Sequence, residues 1–175
     1  MTFAPAQIVE KALAGLTFAW REGERQFVSV PVQYPSGALC TVEISTGKTH
    51  AHITDMGAGY AEADMLCDDT SFPRFAQQQA ARRGLKTDGH SIHIEDIPEG
   101  MLVSAIIAVA NASAAAAHAA IANDSERREE AQKNVIFQKV RLAFPDANVS
   151  RILEVAGGRA LWTAHNVVHL RDDRM

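Results

Sequence analysis

Three side chains in the first third of the chain have the types and spacing for metal chemistry. His50 and His52 form a His-x-His pair, and Glu43 lies a few residues upstream. Imidazole and carboxylate together suit zinc or another divalent ion. Leu39 to Ser45 and Lys48 to Thr54 alternate polar and apolar residues, with Thr46-Gly47 between them as a two-residue hairpin turn. Antiparallel register about that turn places Glu43 opposite His50 and Thr41 opposite His52, with Cys40, Val42, Ile44, Ala51 and Ile53 on the other face. The same register also reads as an exposed cross-strand contact of opposite charges, and a metal would need further ligands from elsewhere.

Acid gathers just beyond the second of these strands, at Asp55, Glu62, Asp64, Asp68 and Asp69. A carboxylate at a strand end is where a hydrolase can place its acid or base. Asp55 before Met56-Gly57 also has the pattern of an Asx turn, in which the side chain bonds its own turn amides. The five acids together form a candidate interaction surface. Gly57-Ala58-Gly59 lacks the Lys-Ser/Thr that would reach phosphate and metal, so no nucleotide site is expected. The sequence shows no Gly-x-Ser-x-Gly elbow, and Cys67 beside acids makes a poor thiolate. We expect no catalytic residues and no cofactor.

The elements that must position these groups follow from periodicity. Pro5 to Ala19 carries Ile8, Val9, Ala12, Leu13 and Leu16 at helical spacing. Trp20 to Arg25 reads as a polar turn, and Phe27 to Tyr34 as a strand with Val28, Val30 and Val32 on one side and an edge or bulge at Pro31. Gly59 to Leu66 is helical, Ser71 is a candidate cap for a helix from Phe72 to Arg83, and Gly84 ends it. Asp88-Gly89 marks a tight hairpin before Ile92 and Ile94. From Gly100 the chain is apolar nearly all round to about Ala122. Asp124 or Ser125 can cap a second helix to Phe144, which would make a helical hairpin. Val149 to Val155 and Leu161 to Leu170, joined through Gly157-Gly158, read as a terminal β-hairpin.

The fold class is therefore α+β: an antiparallel sheet of hairpins packed with helices, then a long helical hairpin and a C-terminal β-hairpin. Three segments are expected: an N-terminal α+β domain over 1–98, the helical hairpin over 99–145 and a β-hairpin appendage over 146–175. Met101, Val103, Ile106, Ile107 and Val109 point in too many helix directions for one sheet contact, so they are the expected interface of a homodimer.

Hydrophobic residues make up 47% of the 175, enough to bury a core. The net charge of −4 is concentrated early: residues 1–70 hold nine acidic against four basic residues. That balance argues against a dedicated nucleic-acid binder, whose phosphate contacts need a clustered basic surface. Direct DNA binding would require Arg82, Arg83, Lys133, Lys139 and Arg141 to share a face. We read no run as long and apolar enough to cross a bilayer and no secretion signal, so a cytoplasmic location and no membrane partner are expected. Two cysteines make neither a disulfide framework nor a zinc spacing, and both read as free thiols.

At HAHITDMGAGYAEADML the sequence resembles an uncharacterised bacterial and prophage-associated family, whose N-terminal domain carries a strand, a Thr-Asp-x-Gly turn and a helix. The resemblance covers about residues 10–122. VSRILEVAGGRALWTAHNVV is similar to the first strands of the nuclease-like domain that often follows, but Thr163, Ala164, His165 and Asn166 stand where its acid would lie. That family's function is unassigned, and our leading expectation is a non-enzymatic protein of prophage or mobile-element origin that contacts another protein. Its partner would be a host defence or nucleic-acid-processing complex, which it would inhibit or modulate in the manner of an anti-CRISPR or anti-restriction protein. The opposing expectations are a metal-dependent nuclease or other hydrolase, and a DNA-binding module.

Overall fold

The computed structural model describes residues 17–23, 25–47, 50–67, 71–157 and 160–169. It confirms the α+β class. The helix expected from Pro5 lies outside the described residues up to 16, and its expected end is not helical. Phe18 to Glu22 is a strand instead, β1, which pairs with β2 (Arg25–Gln33) through a turn whose Gly23 has φ +61°. The alternation of Phe18 and Trp20 accounts for this, because both rings lie on one side of β1 and stack: Phe18 on Trp20 at 5.5 Å, Trp20 on Phe27 at 5.3 Å.

The other strands are β3 (Leu39–Thr46), β4 (Ala51–Thr54), β5 (Lys86–Thr87) and β6 (Ile92–Ile97), and the six form one sheet in the order β1-β2-β3-β4-β6-β5. Pro31, which cannot donate to a ladder, sits where the β2–β3 register shifts between Val30 and Gln33. The β5–β6 turn is held by the Asp88 carboxylate, which accepts from the amides of His90 at 2.8 Å and Ser91 at 2.7 Å. These bonds hold the Asp88 carboxyl below its usual pKa.

Two shorter helices, α1 (Ala58–Leu66) and α2 (Phe72–Arg83), follow β4. Gly84 ends α2 in the left-handed conformation, as its type suggests, but Ser71 makes no side-chain cap bond and accepts from Asn123 Nδ2 instead. The expected helical hairpin is one unbroken helix, α3 (Leu102–Ala143), preceded by a single 3₁₀ turn at Glu99–Met101. Asp124 and Ser125 have cap chemistry, yet neither Gly nor Pro occurs between Met101 and Phe144 to turn the chain, and the backbone stays helical through both. The chain divides into two compact units inside this helix, Met1–Asp124 and Ser125–Met175. In the second unit β7 (Asn148–Gly157) and β8 (Ala160–His169) form the expected hairpin, and Arg151 bonds Glu130 of α3 at 2.6 Å.

The first unit's core lies between one face of the sheet and the helices. Val30, Cys40, Val42, Ile44, Ala51, Ile53 and Ile92 come from the sheet, Phe72, Ala76 and Ala80 from α2, and Ala105 through Ala120 from α3. The apolar start of α3 is, against expectation, long and apolar enough to cross a membrane, with a mean hydropathy of 1.8 over its best window. Half of that window is buried inside the fold, as in a core helix.

Small residues set the helix spacing. Gly59 of α1 is buried, and a Cβ built there would lie 2.4 Å from Ser113 Oγ and 3.0 Å from both the Phe72 ring and the Ser113 carbonyl oxygen. We expect Gly59→Ala to cost about 2–3 kcal/mol despite alanine's better helix propensity, because the overpacking meets backbone as well as side chain. Urea denaturation measures this, and a variant as stable as the wild type would mean that α1 and α3 are not in close contact.

Candidate functional site

Asp55 follows β4 directly and is fully buried. Its Oδ1 accepts from the amides of Ile92 at 2.8 Å and Gly57 at 3.1 Å, and its Oδ2 accepts from Ser113 Oγ at 2.5 Å. Because the Ser113 hydroxyl donates its hydrogen bond to Asp55, it accepts from the Tyr34 hydroxyl at 2.8 Å. Tyr34 is 5% exposed and lies beside the buried Cys40 thiol. One carboxylate thus ties β6, the turn after β4, α3 and the end of β2 together. Burial pushes the Tyr34 hydroxyl well above its usual pKa and raises the Cys40 thiol to about 11.

The Asx turn expected at Asp55 is present, in the Gly57 bond. Asp55 is therefore buried among its donors and does not belong to an exposed acidic surface. The turn forces two successive left-handed residues, Met56 at φ +56° and Gly57 at φ +77°, and Met56 N donates to Thr54 Oγ1 at 3.0 Å. A non-glycine residue held there is strained, and the strain projects the Met56 side chain outward, 43% exposed.

What the turn creates is a groove. β4 ends opposite Glu43, so it does not reach the first four residues of β3. In the strand's place the chain runs through Met56 into α1. The groove is lined by Tyr34, Leu39 and Thr41 on one side and by Met56, Ala58, Ala61, Glu62 and Met65 on the other. Ala58, Ala61, Glu62 and Met65 follow helical spacing along one side of α1, and the two alanines leave the room. Leu39 and Met65 are exposed at 47% and 71%. Glu62 is half-buried: its Oε1 accepts from Ser36 Oγ at 2.8 Å, while its Oε2 is buried with no hydrogen-bond partner among the described residues.

The metal candidates do not converge. The β3–β4 register pairs Glu43 with Thr54 and Ser45 with His52, and His50 falls in the loop before β4. The turn lies beyond Gly47, whose amide donates to the His50 carbonyl at 2.8 Å, not at Thr46-Gly47; this slides the strands but leaves the faces as expected: Cys40, Val42, Ile44, Ala51 and Ile53 are all buried. Glu43 lies 3.8 Å from Arg25, and the His52 ring sits 5.6 Å from that of His93. Among the described residues no group of three or more His, Cys, Asp or Glu could hold a metal ion. Asp64 is exposed, and Asp68 and Asp69 lie outside the described residues.

Of the expected dimer residues, Ile106 and Val109 are buried in the chain's own core at 7% and 0%, which removes them from any interface. Met101, Val103 and Ile107 are exposed. Arg82 and Arg83 belong to the first unit, and Lys133, Lys139 and Arg141 to the second. Cys40 is buried as expected, and Cys67 is buried as well. Tyr34, Leu39, Met56, Met65 and Ser113 went unassigned in the sequence. Ser113 carried a signal, as the polar residue within Ala112 to Ala117 on a helix otherwise suited to burial.

No family profile matches this chain, and no curated protein or solved structure matches it.

Asp55→Ala leaves three donors without an acceptor and should cost about 3–4 kcal/mol, whereas Asp55→Asn keeps the Oδ1 bonds and should cost about 1–2 kcal/mol. Chemical denaturation checks the order of the two. Because the Cys40 thiol ionises at about 11 when folded against 9.0 in the free side chain, its contribution is intact below pH 9 and is lost as pH rises towards 11. Cys40→Ser should flatten that alkaline decline.

Proposed function

We propose that this chain is a non-enzymatic interaction protein, an inhibitor or modulator acting on a host defence or nucleic-acid-processing protein through the groove between β3 and α1. The observation that carries the reading is that groove. A buried hydrogen-bond network holds a strained turn in place, and its product is an open apolar channel edged by Leu39, Met56 and Met65. Flexible thioethers on an exposed rim suit contact with another protein surface.

Ala61→Trp fills the groove from its exposed side without touching the core. Wild-type protein used as bait in a lysate of its source cell should retain one stoichiometric partner that Ala61→Trp loses and that Gln78→Trp, on exposed α2 surface, keeps. Retention of the same partner by all three would remove the groove from the interaction. Cleavage of DNA or RNA by the purified chain in magnesium or manganese would overturn the non-enzymatic reading.

The exposure of Met101 at 56% and Val103 at 75%, with Ile107 beside them, supports a second contact, a homodimer through the start of α3. Light scattering at micromolar concentration should give twice the chain mass, falling to one chain with Val103→Asp. A wild-type mass of one chain at every concentration would exclude the dimer.

A further inference from the structure

We propose that the groove between β3 and α1 is built for a cationic side chain, a lysine or arginine presented by the protein partner, with Glu62 as its counter-ion. This rests on the interaction reading above and specifies the partner's chemistry.

Glu62 carries the argument. Its Oε1 is satisfied by Ser36, which also accepts the Ala38 amide at 3.2 Å, so the carboxylate is oriented by the β2–β3 turn. Glu62 lines the groove, and its second oxygen is buried without a donor among the described residues. A buried carboxylate oxygen left without a donor loses the hydrogen bonds it had in water, and a ligand that brings an N–H restores them. The lining selects what kind of ligand. The rest of the lining is mostly apolar, Leu39, Met56, Ala58, Ala61 and Met65 with the hydroxyl residues Tyr34 and Thr41, and adds no second acid or imidazole. One carboxylate in apolar surroundings fits poorly to a divalent ion, which needs several oxygen or nitrogen donors. It does fit a monovalent organic cation on an aliphatic stem. Lysine and arginine have that form: the methylenes lie along apolar surface and the charged head reaches a polar group.

The groove's make-up agrees with an incoming side chain. Ala58 and Ala61 are small, Leu39 and Met65 are apolar and exposed, and Met56, in the left-handed turn, also lines it. Each is placed to contact a stem, while Glu62 lies where a head would arrive.

The full ¹⁵N-labelled chain titrated with n-pentylammonium, n-pentylguanidinium and, as the neutral isostere, n-pentanol tests the site without knowing the partner. Amide shifts should concentrate at Met56, Ala61, Glu62 and Met65, and the cations should bind at least tenfold more tightly than pentanol. Glu62→Gln keeps an acceptor for Ser36 and should bring the cations down to pentanol's affinity. Equal affinity for all three probes in the wild type, or shifts that avoid these residues, would overturn the proposal even if Glu62→Gln failed to fold. In the lysate experiment, a partner lost by Ala61→Trp but kept in full by Glu62→Gln would overturn the cation while leaving the interaction reading standing. Cation binding at Glu62 with no partner retained would do the reverse. A dimer that dissociates on Glu62→Gln would make the cation a second copy's own and overturn its assignment to another protein.

Discussion

A buried carboxylate with three donors is the constraint on which the first unit depends. Asp55 sits where β4 stops, and its bonds reach β6 through Ile92, the following turn through Gly57 and α3 through Ser113. Burying an acid is expensive unless each lone pair is answered, and here the answers come from three separate parts of the fold. The network is therefore conditional on the whole arrangement being in place. That makes it a specifier of geometry more than a source of net stability, because an apolar substitute could fill the space but could not fix the turn.

The consequence runs outward from that point. A short β4 leaves the first half of β3, paired with β2 on one side, without a strand neighbour on the other, and the turn fixed by Asp55 leads the chain into α1 there instead. Gly59 lets α1 approach Ser113 closely, which is the contact that brings the hydroxyl within reach of Asp55. The outer side of the same helix, with its two alanines, Glu62 and Met65, then becomes one wall of the groove. Core network and exposed groove are two sides of a single nine-residue helix.

Much of the fold was legible in the sequence because its signals were local. The alternation around Val42 and Ile53, the Asp88-Gly89 turn, Gly84 after α2 and the two C-terminal strands each act within a few residues. The failures were cases where two local readings were equally good. Ser125 has cap chemistry but can also continue a helix, and nothing nearby forces a break. Thr46-Gly47 can close a two-residue turn, yet Thr46 pairs with Ala51 and Gly47 N donates to His50 O, which moves the turn beyond Gly47. Phe18 continues a helical run, and Trp20 opens a polar turn, as readily as the two begin a strand. The site was harder still. Asp55 was legible as a turn former, but its bonds to Ile92 and Ser113 span 37 and 58 residues, and no local pattern encodes them. Glu62 stood out only as one acid among five, since its distinction, a buried oxygen in an apolar groove, exists only once α1 lies against β3.

Native-state hydrogen exchange at the Gly57 and Ile92 amides tests the role of Asp55 most directly. Gly57 lies in a turn next to an exposed residue, where exchange would ordinarily be fast. If the carboxylate locks that turn into the core, both amides should exchange only through global unfolding, with protection equal to that of Ile53 at the centre of the sheet. Exchange at Gly57 on the timescale of an open loop, with Ile53 still protected, would show that the turn moves independently and that Asp55 does not hold the fold together.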